Sequence, residues 1–564
     1  MRSLKPSGLL VQLASLGMSL ALFAGCSSNS APRVGSDAGP DAGSDAGPDA
    51  GSDAGPDAGS DAGPDAGSDA GPPIGGDSVL MHHKNPSRDG LYIEAALTRL
   101  AIPTLHKDPT FAPSGIVGEV YAQPLFVDGQ GGTDLVIVAT ESDNVYALDA
   151  ASGAQVWMTN VGTPVPLATL ATCGDIDPVG ITGTPVIDPI SRTLFLDAEL
   201  IPSGSAPTHR AFALSVDDGS IRPGWPIDVP SAVSSSGTAF TSNVQGQRGA
   251  LAVLNGRVYI PYGGRYGDCG DYHGWVVGIS ISNPASVQSW STPAQGGGVW
   301  APGGIATDGT NLYGSTGNTF DTTGAWGGGD GIITLTPGST LSLSGSFAPA
   351  NWLALDDGDL DMGTGPVLID LPGSTPGALA IAFGKDGDAY LIDRDNPGGV
   401  GPALGGNAVT CTASSGAGCA TLAAVATDQI ISAATLYTTA TATYVSVRGN
   451  GALCTGGTSG DLLTLKLVPG APPTLSPSWC GVSGSGSPMV TTSNGHADAI
   501  VWSLGAEDDN RLHAFDGDSG AVISFTDSTT AFPGMRRYNT PIAAKGRIFV
   551  PVDGANGGVI AFKP

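Results

Sequence analysis

Three aspartates at alternate positions are the side chains in this sequence best suited to holding a metal ion. Asp357, Asp359 and Asp361 occur in the stretch DDGDLDMG. Alternating carboxylates in a glycine-containing loop are typical of calcium loops, because Ca²⁺ prefers oxygen ligands. The glycine usual at the sixth position is replaced by Met362, and Gly363 follows one place late. An acidic turn that leads into a strand is the alternative interpretation.

The other residue types that commonly do chemistry show no comparable grouping. His82 and His83 are adjacent and His273 precedes a Gly-Trp pair, but no histidine has a partner at metal-binding spacing. We therefore interpret them as surface or strand-end residues. The sequence contains no C-x-x-C-H, C-x-x-C or H-E-x-x-H motif, which excludes covalent c-type haem and the usual zinc sites.

Seven cysteines are present, and six of them follow Cys26. An even number suits disulfides in an oxidising compartment, although six cysteines allow many connectivities. The pair Cys411–Cys419 brackets a short Ser/Gly loop, and Cys454–Cys480 lies within one repeat. The remaining pair, Cys173–Cys269, would join neighbouring repeats.

A recurrent unit of strands and turns must position these side chains. Residues 134–157, DLVIVATESDNVYALDAASGAQVW, form three short strands joined by tight turns. Comparable units start at residues 192, 256, 311, 378, 443, 498 and 546, which makes eight. This repetition predicts an all-β, eight-bladed β-propeller of four-stranded antiparallel blades, with seven blades or a β-sandwich as alternatives. We expect the strand near 548–562 to share a blade with residues near 79–127, which would close the ring.

Two segments of different composition precede the predicted propeller at 77–564. Residues 1–25 have a basic start and an apolar run, as in a signal peptide, and end before Cys26 in LFAGC. This ending resembles a bacterial lipobox, in which the cysteine is lipidated, and Ser27 resembles a signal for the outer membrane. Residues 26–76 consist largely of SDAG and PDAG units, which predict a disordered tether. We therefore expect an exported protein, anchored by lipid at the bacterial cell envelope.

The charge of the chain excludes one class of partner. The formal net charge is −28, and the first 76 residues hold only three basic and nine acidic residues, so 20 basic residues face 42 acidic ones in the remainder. Such a surface repels phosphate backbones, and no basic stripe with interleaved aromatic residues is present. We expect no nucleic-acid partner, membrane contact through the lipid only, and a monomer.

The stretch ALDAASGAQVW, residues 147–157, resembles the blade motif of the pyrroloquinoline-quinone-type (quinoprotein-like) β-propellers. Residues 516–520 are a weaker copy, and Trp225 and Trp290 end two further units. The resemblance implies that Trp157 docks between adjacent blades. Because this ring is shared by dehydrogenases and by non-catalytic proteins, the motif indicates the fold more strongly than the function.

Residues 311–395 resemble the dehydrogenase branch of that family. The resemblance implies that Asn318, in STGN, ligates calcium at the quinone, that Asp330, in GGGDGIITL, is the catalytic base, and that Lys385, in GKDGDAYLIDRD, binds the cofactor. The combination is chemically reasonable, because a hard cation polarises a quinone carbonyl while a carboxylate takes the alcohol proton.

Two features of those dehydrogenases are missing. They carry two adjacent cysteines at the quinone, whereas the matching region here holds the single Cys173. They also carry a glutamate that ligates calcium, for which only Asp268 or Asp271 could substitute. We also expect no haem domain that would accept electrons.

These departures favour a binding or scaffolding module that holds an envelope protein or a glycan on one face of the propeller, and they make enzyme activity uncertain. A quinone-dependent dehydrogenase of alcohols or sugars, with pyrroloquinoline quinone and Ca²⁺, is the first alternative. A polymer hydrolase or lyase that uses carboxylates in the central channel is the second.

Overall fold

Short runs of β-branched and small residues, separated by turns rich in Gly and Asp, make strands the main regular structure of the described residues. The computed structural model describes residues 74–170, 173–234, 236–320, 322, 324–451, 460–482 and 484–564. They belong to one compact unit, Asp69–Pro564. The predicted signal peptide, Cys26 and nearly all of the predicted tether lie outside the described residues.

The strands form eight blades, so the predicted eight-bladed all-β propeller is confirmed. Blade 1 contains Leu125–Val127, Leu135–Ala139, Asn144–Asp149 and Gln155–Asn160; blade 2 contains Val186–Asp188, Thr193–Leu200, Thr208–Ser215 and Ile227–Asp228. Blade 3 contains Ala252–Leu254, Arg257–Gly264, Trp275–Ser280 and Val287–Ser291; blade 4 contains Ala306–Thr307, Leu312–Thr316, Gly331–Pro337 and Leu341–Pro349. Blade 5 contains Val367–Asp370, Ala378–Phe383 and Ala389–Asp393; blade 6 contains Thr435–Thr438, Thr443–Arg448, Leu462–Val468 and Thr474–Gly481. Blade 7 contains Met489–Thr492, Ile500–Leu504 and Leu512–Asp516; blade 8 contains Ile542–Ala544, Arg547–Pro551 and Val559–Lys563.

Short elements complete the structure. Further strands are Gln245–Gly246 beside blade 3, Gly399–Gly401 parallel to the last strand of blade 4, and the paired Gln295–Gly296 and Thr319–Phe320. The helices are Val229–Ala232 and Trp352–Asp357, with 3-10 turns at Ile102–Thr104, Leu167–Thr169 and Gly554–Asn556. Within the described ranges, no helix has the length and apolar character needed to cross a bilayer.

The N-terminal part of the propeller closes the ring. His106–Lys107 pairs antiparallel with Val559–Lys563 and supplies the fourth strand of blade 8. The expected sharing of a blade between the two ends of the propeller is therefore confirmed. Leu91–Ile93 also joins blade 7, but it runs parallel to the inner strand, Met489–Thr492.

Residues 79–93 run along the inner strands of seven consecutive blades. Val79 pairs with Phe126 of blade 1, and Arg88 donates to the carbonyl of Leu251 at the start of blade 3. Backbone carbonyls of the segment accept hydrogen bonds from backbone N–H groups in blades 2, 4, 5, 6 and 7: those of Ile187, Thr307, Leu368, Leu436 and Val490. The segment therefore fills the centre of the ring.

The residues of this segment are buried, so the interpretation of His82 and His83 as surface or strand-end residues was wrong. They are 2% and 0% exposed, and their rings stack with centroids 4.3 Å apart. Arg88, 2% exposed, donates to the carbonyls of Ile305 at 2.9 Å, His82 at 2.8 Å and Leu251 at 2.7 Å. Their burial follows from the position of the segment at the ring centre, which periodicity along the chain does not encode.

Tryptophans dock adjacent blades, as the resemblance implied for Trp157. Its Nε1 donates to the carbonyl of Val216 in blade 2 at 2.9 Å. Gly219 lies under the ring, with φ +72°, and a Cβ there would come within 2.5 Å of the indole. Trp479 of blade 6 repeats the arrangement on Gly520 of blade 7.

Candidate functional site

Loops from five blades surround a cavity of about 600 Å³, which we call the main cavity. Its charged lining residues are Asp268, Asp356, Asp357, Asp359, Asp361, Arg248, Arg265, Lys385 and Arg537. Its other lining side chains include Tyr266, Tyr272, Trp300, Asn318, Phe320, Gln429, Ile431 and Tyr538. The wall of the cavity is therefore polar and contains both aspartates and arginines.

Lys385 is the centre of the acidic part of the main cavity. Its Nζ lies 2.6 Å from Oδ1 of Asp359 and 2.7 Å from Oδ1 of Asp361. It also lies 5.3 Å from the centroid of the Trp300 ring, in cation–π contact. Burial would lower the pKa of Lys385, but the two carboxylates outweigh it and hold the pKa above its usual value. The lysine is thus a fixed positive charge.

Asp361 is held beneath this lysine. It is 3% exposed, and its Oδ2 accepts a hydrogen bond from Trp300 Nε1 at 2.8 Å. Burial raises the pKa of Asp361 to about 6, although Lys385 and Trp300 oppose the rise. Gly317 makes the approach possible, because a Cβ there would lie 2.4 Å from Oδ2 of Asp361.

Asn318 and Asp359 also meet in the main cavity. Asn318 Nδ2 donates to Oδ1 of Asp359 at 3.0 Å. Oδ1 of Asn318 is buried and has no hydrogen-bond partner within the described part of the chain. An unpartnered buried oxygen is uncommon and indicates a place for a bound group.

The aspartates expected to form a calcium loop are only partly arranged as one. Asp357, Asp359 and Asp361 all line the main cavity. However, one carboxylate oxygen of Asp359 and one of Asp361 already form ion pairs with Nζ of Lys385. Across the described ranges, no three His, Cys, Asp or Glu side chains are grouped as metal ligands. The donor atoms nevertheless fit a hard cation in type, since Asn318 Oδ1 and carboxylate oxygens are what Ca²⁺ prefers.

Asp330, expected from the resemblance to be the catalytic base, lies behind the wall of the main cavity. It is 0% exposed and is not among the lining residues. Burial, together with the carboxylates of Asp356 and Asp361, raises the pKa of Asp330 well above its usual value. A carboxyl without access to the cavity does not suit the role of base, so the placement argues against that expectation.

The structure joins Cys173 to Cys269 and Cys411 to Cys419, two of the three expected pairs. Cys480 is also disulfide-bonded, but Cys454, its expected partner, lies outside the described residues.

The Cys173–Cys269 bridge supports the wall of the main cavity. It lies against Gly267, where a Cβ would be 3.2 Å from Cys173 Sγ. Asp268, the next residue, accepts a hydrogen bond from the Tyr272 hydroxyl at 2.6 Å and lines the cavity. Of the two aspartates considered as substitutes for the missing glutamate, Asp268 reaches the cavity, whereas Asp271 pairs with Gln295 outside it.

Sequence reasoning missed several residues of this site. Trp300 follows three glycines in GGGVW, and that run was the only available signal for a close approach of backbone and ring. Arg248 and Tyr538 form a cation–π pair in the wall, with the guanidinium 5.3 Å from the ring centroid. They come from segments almost 300 residues apart, so spacing along the chain carried no signal for them.

Comparison with solved structures shows the same fold. The chain is similar to quinohemoprotein alcohol dehydrogenase from Comamonas testosteroni, at 14% identity and a TM-score of 0.52, over 86% of this chain and 80% of that one. It is similar to a europium-containing methanol dehydrogenase at 15% identity and a TM-score of 0.55, over 86% and 98%. BamB from Moraxella catarrhalis aligns at 14% identity with a TM-score of 0.41, over 82% and 96%.

No protein-family model and no curated protein matches the chain. At these identities the likeness to the two dehydrogenases establishes the propeller fold alone. Function must be argued from the main cavity.

Proposed function

We propose that this protein is a quinone-dependent dehydrogenase of alcohols or sugars. We further propose that it is exported and held by lipid on Cys26 at the bacterial cell envelope. The convergence of Asn318, Asp359 and Lys385 over Trp300 in one cavity carries the catalytic part of the proposal. The motif that ends in Cys26 supports the location.

The residues of the main cavity fit a quinone with an associated cation. Trp300 offers an aromatic face for a planar ring, and Lys385 offers a charged donor for a carbonyl oxygen. Asn318 Oδ1, with an oxygen of Asp268, would hold Ca²⁺. When bound, the quinone would supply the two-electron acceptor that amino-acid side chains lack.

Asp359 is the side chain best placed to accept the hydroxyl proton of a substrate. Its side chain is 62% exposed within the cavity region, whereas Asp361 below it is 4% exposed. Lys385 and Asn318 both bind Oδ1 of Asp359, which fixes the carboxylate and leaves Oδ2 for a proton. A general base must first lie within hydrogen-bond reach of the substrate proton, and it must then have a suitable pKa.

Dye-linked oxidation of alcohols and sugars by the protein reconstituted with pyrroloquinoline quinone and Ca²⁺ tests the proposal. We expect Asp359→Asn to lower kcat by about 10²–10⁴-fold, the usual contribution of a general base. Asp330→Asn is the matched control, because Asp330 lies behind the cavity wall and an amide has nearly the same shape. Full activity in Asp359→Asn, or no oxidation of any substrate by the loaded protein, would refute the assignment.

A binding or scaffolding role for an envelope protein or glycan is the second candidate. The pairing of Lys385 with both Asp359 and Asp361 favours it, because the ammonium neutralises these acids without a bound cation. Capture of a specific partner by the wild-type protein, together with no stabilisation by quinone, is the result that this candidate predicts.

A further inference from the structure

A smaller cavity of about 130 Å³ adjoins the main cavity, and Ile431 and Arg537 belong to the walls of both. We call it the side pocket. Its remaining lining residues are Ser432, Arg448 and Ser485. Within the described part of the chain, no acidic side chain lines it. Two arginines in a small cavity without a lining carboxylate are unexpected in a chain whose formal net charge is −28.

Two polar side-chain atoms of the side pocket lack hydrogen-bond partners among the described residues. Arg448 ends a strand of blade 6, and its Nε is buried without a hydrogen-bond acceptor among the described residues. Ser432 is 1% exposed, and its Oγ is also without a partner there. Arg537 is the exception, because its Nε contacts Oε2 of Glu507 at 3.1 Å. Buried donors are normally satisfied, so these two groups indicate that an acceptor binds in the pocket.

We propose that the side pocket binds a carboxylate of the ligand that occupies the main cavity. Guanidinium groups bind planar carboxylates through paired, charge-assisted hydrogen bonds, and a serine hydroxyl can supply a further donor. The volume is ample, because an engineered cavity of roughly 150 Å³ holds a whole benzene molecule.

This inference rests on the proposed function, since it names a chemical class for the ligand of the same site. The main cavity has Lys385 and its aspartates in one part of the wall and Arg537 in another. A molecule with a hydroxyl group for Asp359 and a carboxylate for Arg448 is a hydroxy acid, such as a uronic acid. Pyrroloquinoline quinone is itself a carboxylic acid, so the bound carboxylate could belong to substrate or to cofactor.

Calorimetric titration of the wild-type protein, without quinone, with D-glucuronate and with D-glucose tests the pocket directly. We expect D-glucuronate to bind more tightly than D-glucose. Arg448→Gln should weaken glucuronate binding about ten- to a hundredfold, as expected for loss of a hydrogen bond between charged groups. Arg537→Gln is a second variant in the same pocket. Arg210→Gln is the matched control, because Arg210 lies in blade 2 with a single ion-pair contact at 3.8 Å.

A parallel titration with pyrroloquinoline quinone separates the two sources of the carboxylate. Weakened glucuronate binding in Arg448→Gln, with quinone binding unchanged, assigns the pocket to the substrate. The reverse pattern assigns it to the cofactor, and either result supports the pocket. If Arg448→Gln and Arg537→Gln bind both compounds as the wild type does, the inference is overturned while the proposed function stands. If the wild type binds neither compound, both are overturned.

Discussion

Lys385 is the single residue that balances the negative charge in the acidic part of the main cavity. Its ammonium lies within 2.7 Å of two carboxylates, one of which, on Asp361, is 4% exposed. Removing one member of a buried ion pair leaves the other charge unpaired, which is usually more costly than never having had the pair.

We therefore expect Lys385→Met to lower the free energy of unfolding by about 3 kcal/mol at pH 8. The loss should be smaller at pH 5, because Asp361, whose pKa is about 6, can then be neutralised by a proton. Ca²⁺ should restore part of the loss by replacing the ammonium between the carboxylates. Chemical denaturation at the two pH values, with and without Ca²⁺, measures all three effects; an unchanged stability at pH 8 would contradict this account of the lysine.

The segment 79–93 is the element that joins the blades at the centre of the ring. Arg88 donates to three backbone carbonyls, and these lie in blades 3 and 4 and in the segment itself. In Arg88→Gln the shorter side chain cannot reach all three carbonyl oxygens, so buried carbonyl groups lose their hydrogen-bond donor. We expect the free energy of unfolding to fall by about 3 kcal/mol or more, whereas Arg210→Gln, at a partly exposed site, should change it little. Equal free energies of unfolding for the two variants would mean that the contacts of Arg88 do not stabilise the ring.

The two described disulfides should differ in their contribution to stability. Cys173–Cys269 closes a loop of 96 residues and Cys411–Cys419 a loop of 8. Closing the longer loop restricts the unfolded chain more, and the chain-entropy relation gives a difference of about 2 kcal/mol. We therefore expect Cys173→Ser/Cys269→Ser to lower Tm further than Cys411→Ser/Cys419→Ser. The opposite order in calorimetry would show that native-state contacts outweigh loop entropy here.

The regular elements were predictable from the sequence, and the segment that fills their centre was not. Blade number and ring closure follow from short-range patterns of strand runs and turn residues, and the resemblance of residues 147–157 to a known blade motif implied the docking of Trp157. Residues 82–90 are polar and irregular, and His82 and His83 were therefore interpreted as surface or strand-end residues. They are buried because a ring of blades leaves central space that backbone hydrogen bonds can occupy.

The site was predictable only in part for a similar reason. Asn318, Lys385 and the aspartates at 357–361 stand out because their motifs are local. Asp330 and Asp359 lie on loops of the same region, and only the packing of blade 4 decides which one reaches the cavity. Trp300, Arg248 and Arg448 join the site from separate blades, so no pattern along the chain connects them.

Several buried carboxyls give the whole molecule a pH-dependent stability. Burial, with neighbouring acids, raises the pKa of Glu141 to about 7, of Asp143 to about 8 and of Asp386 to about 7. From about pH 4.5 to about pH 8 these groups keep protons that the unfolded chain has lost, so the free energy of unfolding falls as pH rises through this range. Below pH 6.5 the buried His82 and His83, whose pKa values burial lowers, act in the opposite sense.

We therefore expect Tm to fall from pH 6.5 to pH 8.5. Asp143→Asn should flatten the alkaline side, because an amide does not titrate. Scanning calorimetry across this range measures the effect, and a Tm that stays constant or rises from pH 6.5 to 8.5 is the result that would contradict it.

Thermal unfolding of the purified protein with and without pyrroloquinoline quinone, in the presence and absence of Ca²⁺, tests directly whether the main cavity is a quinone site. A ligand that binds only the folded state raises apparent stability by an amount set by its concentration and affinity. The proposed dehydrogenase predicts a rise in Tm that requires quinone, grows with its concentration and is reduced in Lys385→Met. No rise with quinone, or no rise beyond that produced by Ca²⁺ alone, would contradict the claim that the main cavity is a quinone site.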